Sequence, residues 1–305
     1  MRITRKKPEN TNSNQKELKF TVENPIELME FLTKQFPDKS RNTIKSYLIH
    51  KQVSVDRQIT SQYNYMLKEN QLVTIKTGSK VQETYKYNGL KIVFEDDYII
   101  VIDKEDGLLS IATEKERRQT AYFILTEHVR KLNRKQRVYI VHRLDKDASG
   151  IMIFAKSVEM QEILQDNWQK NKVSRYYAVL VEGKMENTEG THISWLIESK
   201  AFIMYSYSYD NGGQKAITHY KVVKSNEEYS LLEVNIETGR KNQIRVHMKD
   251  LKHSIVGDKK YGASQNPIKR LGLHAASLEF IHPFTQEKMK FESSIPISFT
   301  NLLNK

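Results

Sequence analysis

The 305-residue sequence predicts an α+β protein whose main domain is built on a mixed, largely antiparallel sheet and follows a small α/β domain. The first reason is that short runs rich in β-branched residues, such as residues 92–94 and 98–102, recur between turn-forming residues. The second is that helical apolar spacing appears only at irregular intervals. A regular alternation of strands and helices would favour a parallel sheet, so this order favours antiparallel pairing.

The composition favours a polyanionic partner. Lys and Arg outnumber Asp and Glu by 49 to 37, a formal charge of +12, which suits nucleic acid or an anionic membrane surface. Nucleic acid is the better interpretation, because no apolar run is long enough to cross a bilayer. The basic start of the chain continues into polar residues, so we expect no signal peptide, no membrane partner and a cytoplasmic location.

The residue types also limit the chemistry. The chain has no cysteine, and therefore no disulfide, thiolate nucleophile or cysteine-ligated zinc site. Its nine histidines show no metal-binding spacing such as HExxH, so we expect no metal. Catalytic groups must then be carboxylates, amines, hydroxyls or imidazoles.

Four segments are predicted along the chain. Residues 1–16 form a basic flexible tail, because the cations there are followed by polar residues with little to bury. Residues 17–80 form the small domain, residues 81–90 a linker, and residues 91–305 the main domain.

The small domain is predicted to contain two helices and several strands. Apolar residues recur with helical spacing from Pro25 to Phe36, and a second helix follows Ser40. Val53 and Val55 alternate as in a strand.

Residues 40–48, 53–55 and 72–75 together resemble the S-four-type RNA-binding domain, named after a ribosomal small-subunit protein. In this resemblance residues 72–75 are the closing strand, and Asp56-Arg57-Gln58 occupies the place of the usual Asn-Gly turn. The resemblance implies that the small α/β domain binds RNA. The charge pattern alone also fits a small helical adaptor with a solvated face.

Several further elements are predicted in the main domain from apolar periodicity. The helices are at residues 120–132, 157–170 and 240–251, and the strands at residues 138–142, 151–155, 175–182, 216–224, 229–237 and 273–281.

The most informative segment is the polar loop VHRLDKDASG at residues 141–150, which separates two apolar strands. Catalytic groups are commonly placed on loops that a rigid strand scaffold holds. Ser149-Gly150 allows the backbone to turn tightly back into the sheet. From spacing alone, a charged surface turn is an equally good interpretation.

His142-Arg143-Leu144-Asp145, followed by Ser149-Gly150, resembles the HRLDxxTSG signature of RluA/RluD-type pseudouridine synthases, with Ala148 in place of the usual Thr. Further segments are similar to that family in the same order. They are residues 175–179, residues 238–247 with Asn242 in place of the usual His, residues 257–262, residues 273–276 and residues 282–283.

The resemblance covers residues 92–291, although Ile111-Ala112 replaces the usual His-Pro after the first hairpin. It implies a pseudouridine synthase-like fold and an RNA uridine isomerase that uses no cofactor. Asp145 would be the catalytic carboxylate, either as a nucleophile on the ring or as an anion beside positive charge on the sugar. Arg245 would keep that carboxylate ionised.

The resemblance also implies a set of substrate-binding residues around Asp145. They are Arg143, which would fill the space left by the flipped base, the active-site tyrosine Tyr176, the phosphate contact Arg240, Arg245 itself and Ile244.

The implied substrate is structured RNA, with large-subunit ribosomal RNA favoured over transfer RNA because of the added RNA-binding domain. No obligate protein partner is evident. Two alternatives stay open. In the first, the chain is an RNA-binding or ribosome-assembly factor whose catalytic fold is vestigial, although intact Asp145, Arg143 and Arg245 argue against this. Asp145 can also serve a nucleoside or glycoside hydrolase, but no second catalytic carboxylate is evident beside it.

Overall fold

The computed structural model of the chain describes residues 16–37, 41–49, 52–77, 85–131, 134–170 and 172–304. Residues 1–15 of the predicted tail at 1–16, and residues 81–84 of the predicted linker at 81–90, lie outside these ranges. The helices in the described part of the chain include none with the length and apolar character needed to cross a membrane.

Residues 16–77 contain a small sheet, two helices and a hydrophobic core of their own. The elements are β1 Lys16–Thr21, β2 Ile26–Glu27, α1 Leu28–Gln35, α2 Arg41–Ile49, β3 Val53–Val55, β4 Gln58–Ile59, β5 Met66–Leu67 and β6 Leu72–Thr77. An antiparallel sheet has the order β1, β6, β3, β4, and β2 pairs with β5. Leu28 and Leu32 of α1 meet Ile44 and Leu48 of α2 in the core, which is why these apolar residues have helical spacing.

The β3–β4 hairpin turns at Asp56 and Arg57, whose φ angles are 48° and 69°. Two positive φ angles in a two-residue loop are typical of a type I′ turn, for which Asn-Gly is usual. The carboxylate of Asp56 stabilises this Asp-Arg version, because it accepts hydrogen bonds from the backbone N–H of Leu72 and the side chain of Gln71, both at 2.9 Å.

The main part of the chain is one twelve-stranded sheet with four α-helices among the described residues. Its strands are β7 Lys86–Tyr87, β8 Leu90–Glu95, β9 Ile99–Lys104, β10 Tyr139–Ile140, β11 Ser149–Ala155, β12 Ser174–Glu182, β13 Glu189–Glu198, β14 Met204–Tyr207, β15 Gln214–Ser225, β16 Tyr229–Ile236, β17 Leu273–Ile281 and β18 Lys288–Glu292. Its helices are α3 Ala121–Arg130, α4 Val158–Gln169, α5 Gln243–Asp250 and α6 Ile297–Leu302.

The strand order is β14, β13, β15, β16, β12, β17, β11, β9, β8, β7, with β10 paired to β11 and β18 paired to β17. Every pairing is antiparallel except that of β11 with β17, which is parallel. The predicted mixed, largely antiparallel sheet is confirmed.

The central strands are buried on both faces, which explains their continuous apolar sequence. In β9, Ile100 and Ile102 join the core under α3 and α5, whereas Ile99 and Val101 join the core under α4 on the opposite face. The helices therefore cover both faces of the sheet, and the central strands form a rigid support for the loops at their ends.

Gly150 fixes the start of β11 against β17. Its φ is 111°, and a Cβ there would lie 2.1 Å from the carbonyl oxygen of Ala275, so only glycine permits this close approach. The parallel pairing of Ser149 and Gly150 with His274 and Ala275 follows from it. The loop that precedes Gly150 is thereby held at the one parallel junction of the sheet.

Most predicted elements are present, with shifted ends. The first helix begins at Leu28 rather than Pro25, and the strand predicted at residues 138–142 is only Tyr139–Ile140. The elements that were not predicted include β1, β7, β13, β14, β18 and α6. Their sequences gave weak signals because β13 and β18 are half exposed along most of their length, and α6 has only six residues.

Candidate active site

The polar loop between β10 and β11 is anchored along its length by backbone hydrogen bonds. The hydroxyl of Ser110 donates to the carbonyl of Leu144 at 2.7 Å and accepts from its N–H at 3.1 Å. The N–H of Gly107 donates to the carbonyl of Lys146 at 2.9 Å. The ring of His142 accepts from the N–H of Ile153 at 3.1 Å. The residues on both sides of Asp145, Leu144 and Lys146, are therefore held in place by hydrogen bonds.

A buried ammonium group reinforces this anchoring. Lys104 is 1% exposed, and its Nζ donates to the carbonyls of Glu105, Leu108 and Lys146 at 2.9 to 3.1 Å. Burial lowers the pKa of Lys104 to about 8, with nearby carboxylates, including Asp145, opposing the decrease. Lys104 therefore ties the loop of Asp145 to the end of β9.

Asp145 forms an ion pair with Arg245 of α5. Nη1 of Arg245 lies 3.0 Å from Oδ2 of Asp145, while its Nε and Nη2 each lie 2.7 Å from Asp258. Burial alone would lower the pKa of Arg245, but the hydrogen bonds and charge of Asp258, followed by those of Asp145, outweigh it and raise this pKa. Arg245 is therefore a permanent cation that Asp258 aims at Asp145.

Asn242 lies on the other side of the same carboxylate. With its amide nitrogen facing Asp145, it donates to Oδ1 at 3.2 Å and to Oδ2 at 3.0 Å, and its oxygen accepts from the hydroxyl of Tyr261 at 2.9 Å. The opposite orientation would bring the amide oxygen against an anionic oxygen, which is repulsive. Its φ of 52° is a left-handed conformation that Asn adopts more readily than most residues.

These groups open onto a pocket of about 980 Å³ between the Asp145 loop, β12 and α5. Asp145 is 32% exposed, so its carboxylate reaches the cavity. Ile244 contributes an apolar wall and is 5% exposed, while Arg143 and Arg240 are exposed at the rim. The predicted residues Asp145, Arg143, Arg240, Arg245 and Ile244 are therefore brought together in one cavity.

Tyr176 was predicted to be the active-site tyrosine, but it does not line this pocket. Successive residues of a strand point to opposite faces, and of the two tyrosines only Tyr177 lines the Asp145 pocket, whereas both contribute to a second cavity of about 690 Å³. Burial raises the pKa of the Tyr177 hydroxyl; Arg175 opposes this, and the charge of Asp145 adds to it. The Tyr177 side chain is therefore a neutral aromatic wall beside the carboxylate.

Sequence reasoning also missed Arg175 as a lining residue. Its side chain is in the pocket wall, and Nη2 donates to the carbonyls of Ile236 and Glu237 at 3.1 and 3.2 Å. No carboxylate of the described residues lies within ion-pair distance of it. The signal available in the sequence was its alternation with Tyr177, two residues later on the same face of β12.

The histidines near the pocket are structural. His142 stacks on Trp168 with ring centroids 4.9 Å apart, and burial, helped by Arg175, lowers its pKa to about 3. His247 lies between the hydroxyls of Ser194 and Thr218, and burial, with His192, lowers its pKa to about 4. Both rings are neutral at ordinary pH. Among the described residues no cluster of His, Asp and Glu is suited to hold a metal ion.

The arrangement is chemically specific. One anionic carboxylate is oriented by a guanidinium and an amide, flanked by an aromatic ring and an aliphatic side chain, with cations at the entrance. Such a pocket accepts a flat, neutral ring and places an anionic oxygen beside it, while the cations attract the phosphates of a polyanion.

Comparison with known proteins identifies relatives of this chain. A family model described as RNA pseudouridylate synthase matches residues 98–250. The chain is 34% identical to the uncharacterized RNA pseudouridine synthase YjbO of Bacillus subtilis, over 81% of this chain and 89% of that protein. It is 31% identical to the ribosomal large subunit pseudouridine synthase D of Haemophilus influenzae, over 91% and 90% of the two chains.

A structural relative supports the same fold. The structure of human RNA pseudouridylate synthase domain containing 4 superposes with a TM-score of 0.58 at 23% identity, covering 70% of this chain and 91% of that chain.

Proposed function

The chain belongs to the RNA pseudouridylate synthase family and is therefore a pseudouridine synthase, and from this premise we propose that it isomerises uridine in large-subunit ribosomal RNA through Asp145. The observation that carries this proposal is the Asp145 carboxylate, which reaches the pocket while Arg245 and Asn242 hold it from two sides.

The reaction needs one carboxylate and no net change in redox state. The bond between N1 of uracil and C1′ of the sugar breaks, the base rotates, and C5 bonds to C1′ while its proton leaves and N1 gains one. Asp145 assists either as a nucleophile or as an anion beside the positive charge that develops on the sugar. Both routes use the carboxylate of Asp145, which the guanidinium of Arg245 holds in place at 3.0 Å.

The residues around Asp145 receive the target base. A stacked or paired uridine must first be flipped out, at a cost of a few kcal/mol. The exposed side chain of Arg143 occupies the vacated space in the RNA, and the ring of Tyr177 stacks on the extruded uracil. Ile244 provides the apolar contact, and Arg240 binds a phosphate without reading sequence.

The substrate class rests on two observations. Several relatives that match most of this chain are named ribosomal large subunit pseudouridine synthase D, including those of Haemophilus influenzae and Pseudomonas aeruginosa. The small unit at residues 17–80 adds a basic surface, because Arg41 and Lys45 are exposed one turn apart on α2. We propose that this unit binds ribosomal RNA, that residues 91–305 perform catalysis, and that the enzyme works in the cytoplasm.

The test is to incubate the protein and its Asp145→Ala variant with unmodified host ribosomal and transfer RNA and to map pseudouridine at nucleotide resolution. We expect new pseudouridine in large-subunit RNA with the wild-type protein alone. RNA affinity should stay within a few fold in the variant, since phosphate contacts dominate binding. Product confined to transfer RNA would refute the substrate, and product made by the variant would refute the role of Asp145.

A further inference from the structure

Phe202 is an exposed aromatic residue at the turn between β13 and β14. The turn is closed by the N–H of Ser199, which donates to the carbonyl of Ile203 at 2.9 Å, and by the N–H of Phe202, which donates to the carbonyl of Ser199 at 2.9 Å. The side chain of Phe202 is 70% exposed, and its φ is 59°.

The stability of the turn does not account for a phenylalanine at this position. A hairpin residue with positive φ is usually Gly, Asn or Asp, and a bulky side chain there is strained. An exposed ring also gains little from burial. Strained backbone positions concentrate where a ligand is bound, so a role in binding explains this residue better than folding does.

Cations surround Phe202. The Nζ of Lys241 lies 5.4 Å from the centre of its ring, within cation–π distance, and Lys241 also pairs with Glu198. The Nζ of Lys260 donates to the carbonyl of Phe202 at 2.8 Å. Burial, followed by the charges of Arg245 and Lys241, lowers the pKa of Lys260, in keeping with its position close to the guanidinium at the pocket.

Direct contacts join the turn to the pocket. The N–H of Met204, two residues after Phe202, donates to the hydroxyl of Tyr261 at 3.2 Å. That hydroxyl contacts Asn242 at 2.9 Å, and Asn242 contacts Asp145. Lys241, beside the ring of Phe202, follows the pocket residue Arg240 in the chain. The ring of Phe202 therefore lies against Lys241, which stands in the chain between the pocket residues Arg240 and Asn242.

We propose that Phe202 is a stacking platform for a nucleobase of the substrate RNA that neighbours the flipped uridine, with Lys241 and Lys260 contacting the adjoining phosphates. The proposal rests on the proposed RNA substrate. An exposed aromatic face beside cations suits single-stranded RNA, because every base has a face that stacks and every nucleotide carries a negative phosphate. A stacked neighbour would hold the strand open while the target base occupies the pocket.

The test compares Phe202→Gly, Phe202→Trp and Gln286→Gly in the full chain. Gln286 is the matched control, because it is also exposed in a hairpin turn of the same sheet and has a φ of 58°. Glycine adopts positive φ without strain, so neither glycine variant should unfold at a lower temperature than the wild type. Gln286→Gly gives up an exposed hydrogen bond to the carbonyl of Pro283, and only Phe202→Gly loses an aromatic ring.

Two readouts are used: the Kd for a short, fluorescently labelled single-stranded RNA, and kcat/KM for pseudouridine formation in ribosomal RNA. We expect Phe202→Gly to raise the Kd and lower kcat/KM by roughly 5- to 150-fold, the range that one base stack contributes. Phe202→Trp and Gln286→Gly should remain within a few fold of wild type.

Wild-type values for Phe202→Gly in both assays would overturn the platform. So would equal losses in Phe202→Gly and Gln286→Gly, because the aromatic ring would then be irrelevant. If wild-type protein forms no pseudouridine, the proposed function fails, and the labelled RNA still reports whether Phe202 binds a base.

Discussion

Asn242 lies within hydrogen-bonding distance of both carboxylate oxygens of Asp145, at 3.0 and 3.2 Å. The amide of Asn242 is itself held by the hydroxyl of Tyr261, which accepts from the N–H of Met204. Asp145 is thus oriented by a neutral donor on one side and by the guanidinium of Arg245 on the other.

We predict that Asn242→Asp loses activity at neutral pH and regains part of it at higher pH. A second carboxylate beside Asp145 disfavours ionisation of both, so the acid limb of the kcat profile moves to higher pH. Asp also tolerates the left-handed backbone of Asn242, which keeps the turn intact. The measurement is kcat against pH. An unchanged profile would show that Asn242 does not act on Asp145.

We predict that Arg245→Met lowers both kcat and stability while leaving RNA affinity within a few fold. The substitution removes the cation beside Asp145 and leaves the buried carboxylate of Asp258, only 1% exposed, without its partner. Breaking such a buried pair costs about 3–5 kcal/mol of unfolding free energy. Chemical denaturation, RNA binding and single-turnover kinetics measure the three effects separately.

The companion variant Asp258→Asn keeps Arg245 but weakens the interaction that aims it. We expect kcat to fall with a smaller loss of stability. Arg245→Met with full activity at a temperature where the variant is folded would contradict the proposed role of this ion pair.

We predict that Tyr177→Ala impairs product formation by roughly 5- to 150-fold, because a stacking partner of the extruded base contributes about 1–3 kcal/mol. Tyr176→Ala is the matched control on the opposite face of β12 and should keep kcat within a few fold. Tyr177→Phe retains the ring and should retain most activity. A larger loss of activity in Tyr176→Ala than in Tyr177→Ala would show that Tyr176 is the tyrosine that contacts the substrate.

We predict that acid destabilises the protein partly through His247. Its folded pKa of about 4 lies below the unfolded value of about 6.5, so the unfolded chain takes up a proton that the folded chain excludes. Stability is therefore lost as the pH falls from about 6.5 towards 4, by about 2 kcal/mol at pH 5. Denaturation of wild type and His247→Gln at both ends of this range measures the difference. Parallel pH dependence in the two proteins would contradict this contribution.

The sequence alone was sufficient to predict the central strands of the sheet and the site residues that lie in recognisable motifs. Periodicity located the central strands because burial on both faces produces continuous β-branched runs. The pairing of Asp145 with Arg245, 100 residues apart, came from family resemblance, since spacing alone cannot bring such distant residues together.

Other features depended on geometry that a single sequence does not contain. Tyr176 and Tyr177 are adjacent and identical in type, so only the orientation of β12 decides which one meets Asp145. Asn242 was visible as a departure from the family pattern, but its contact with Asp145 depends on a left-handed backbone at the start of α5. Phe202 lies between β13 and β14, two strands that periodicity did not reveal.

The end of the Asp145 loop contacts residues that lie far later in the chain, and this has a consequence for synthesis of the protein. Ser149 bonds to His274, 125 residues later, and its neighbour Gly150 packs on Ala275. A nascent chain on the ribosome can complete its small N-terminal unit early, yet the pocket cannot close until β17 has left the exit tunnel. Premature termination before β17 would therefore yield a polypeptide that contains the aspartate without a working site.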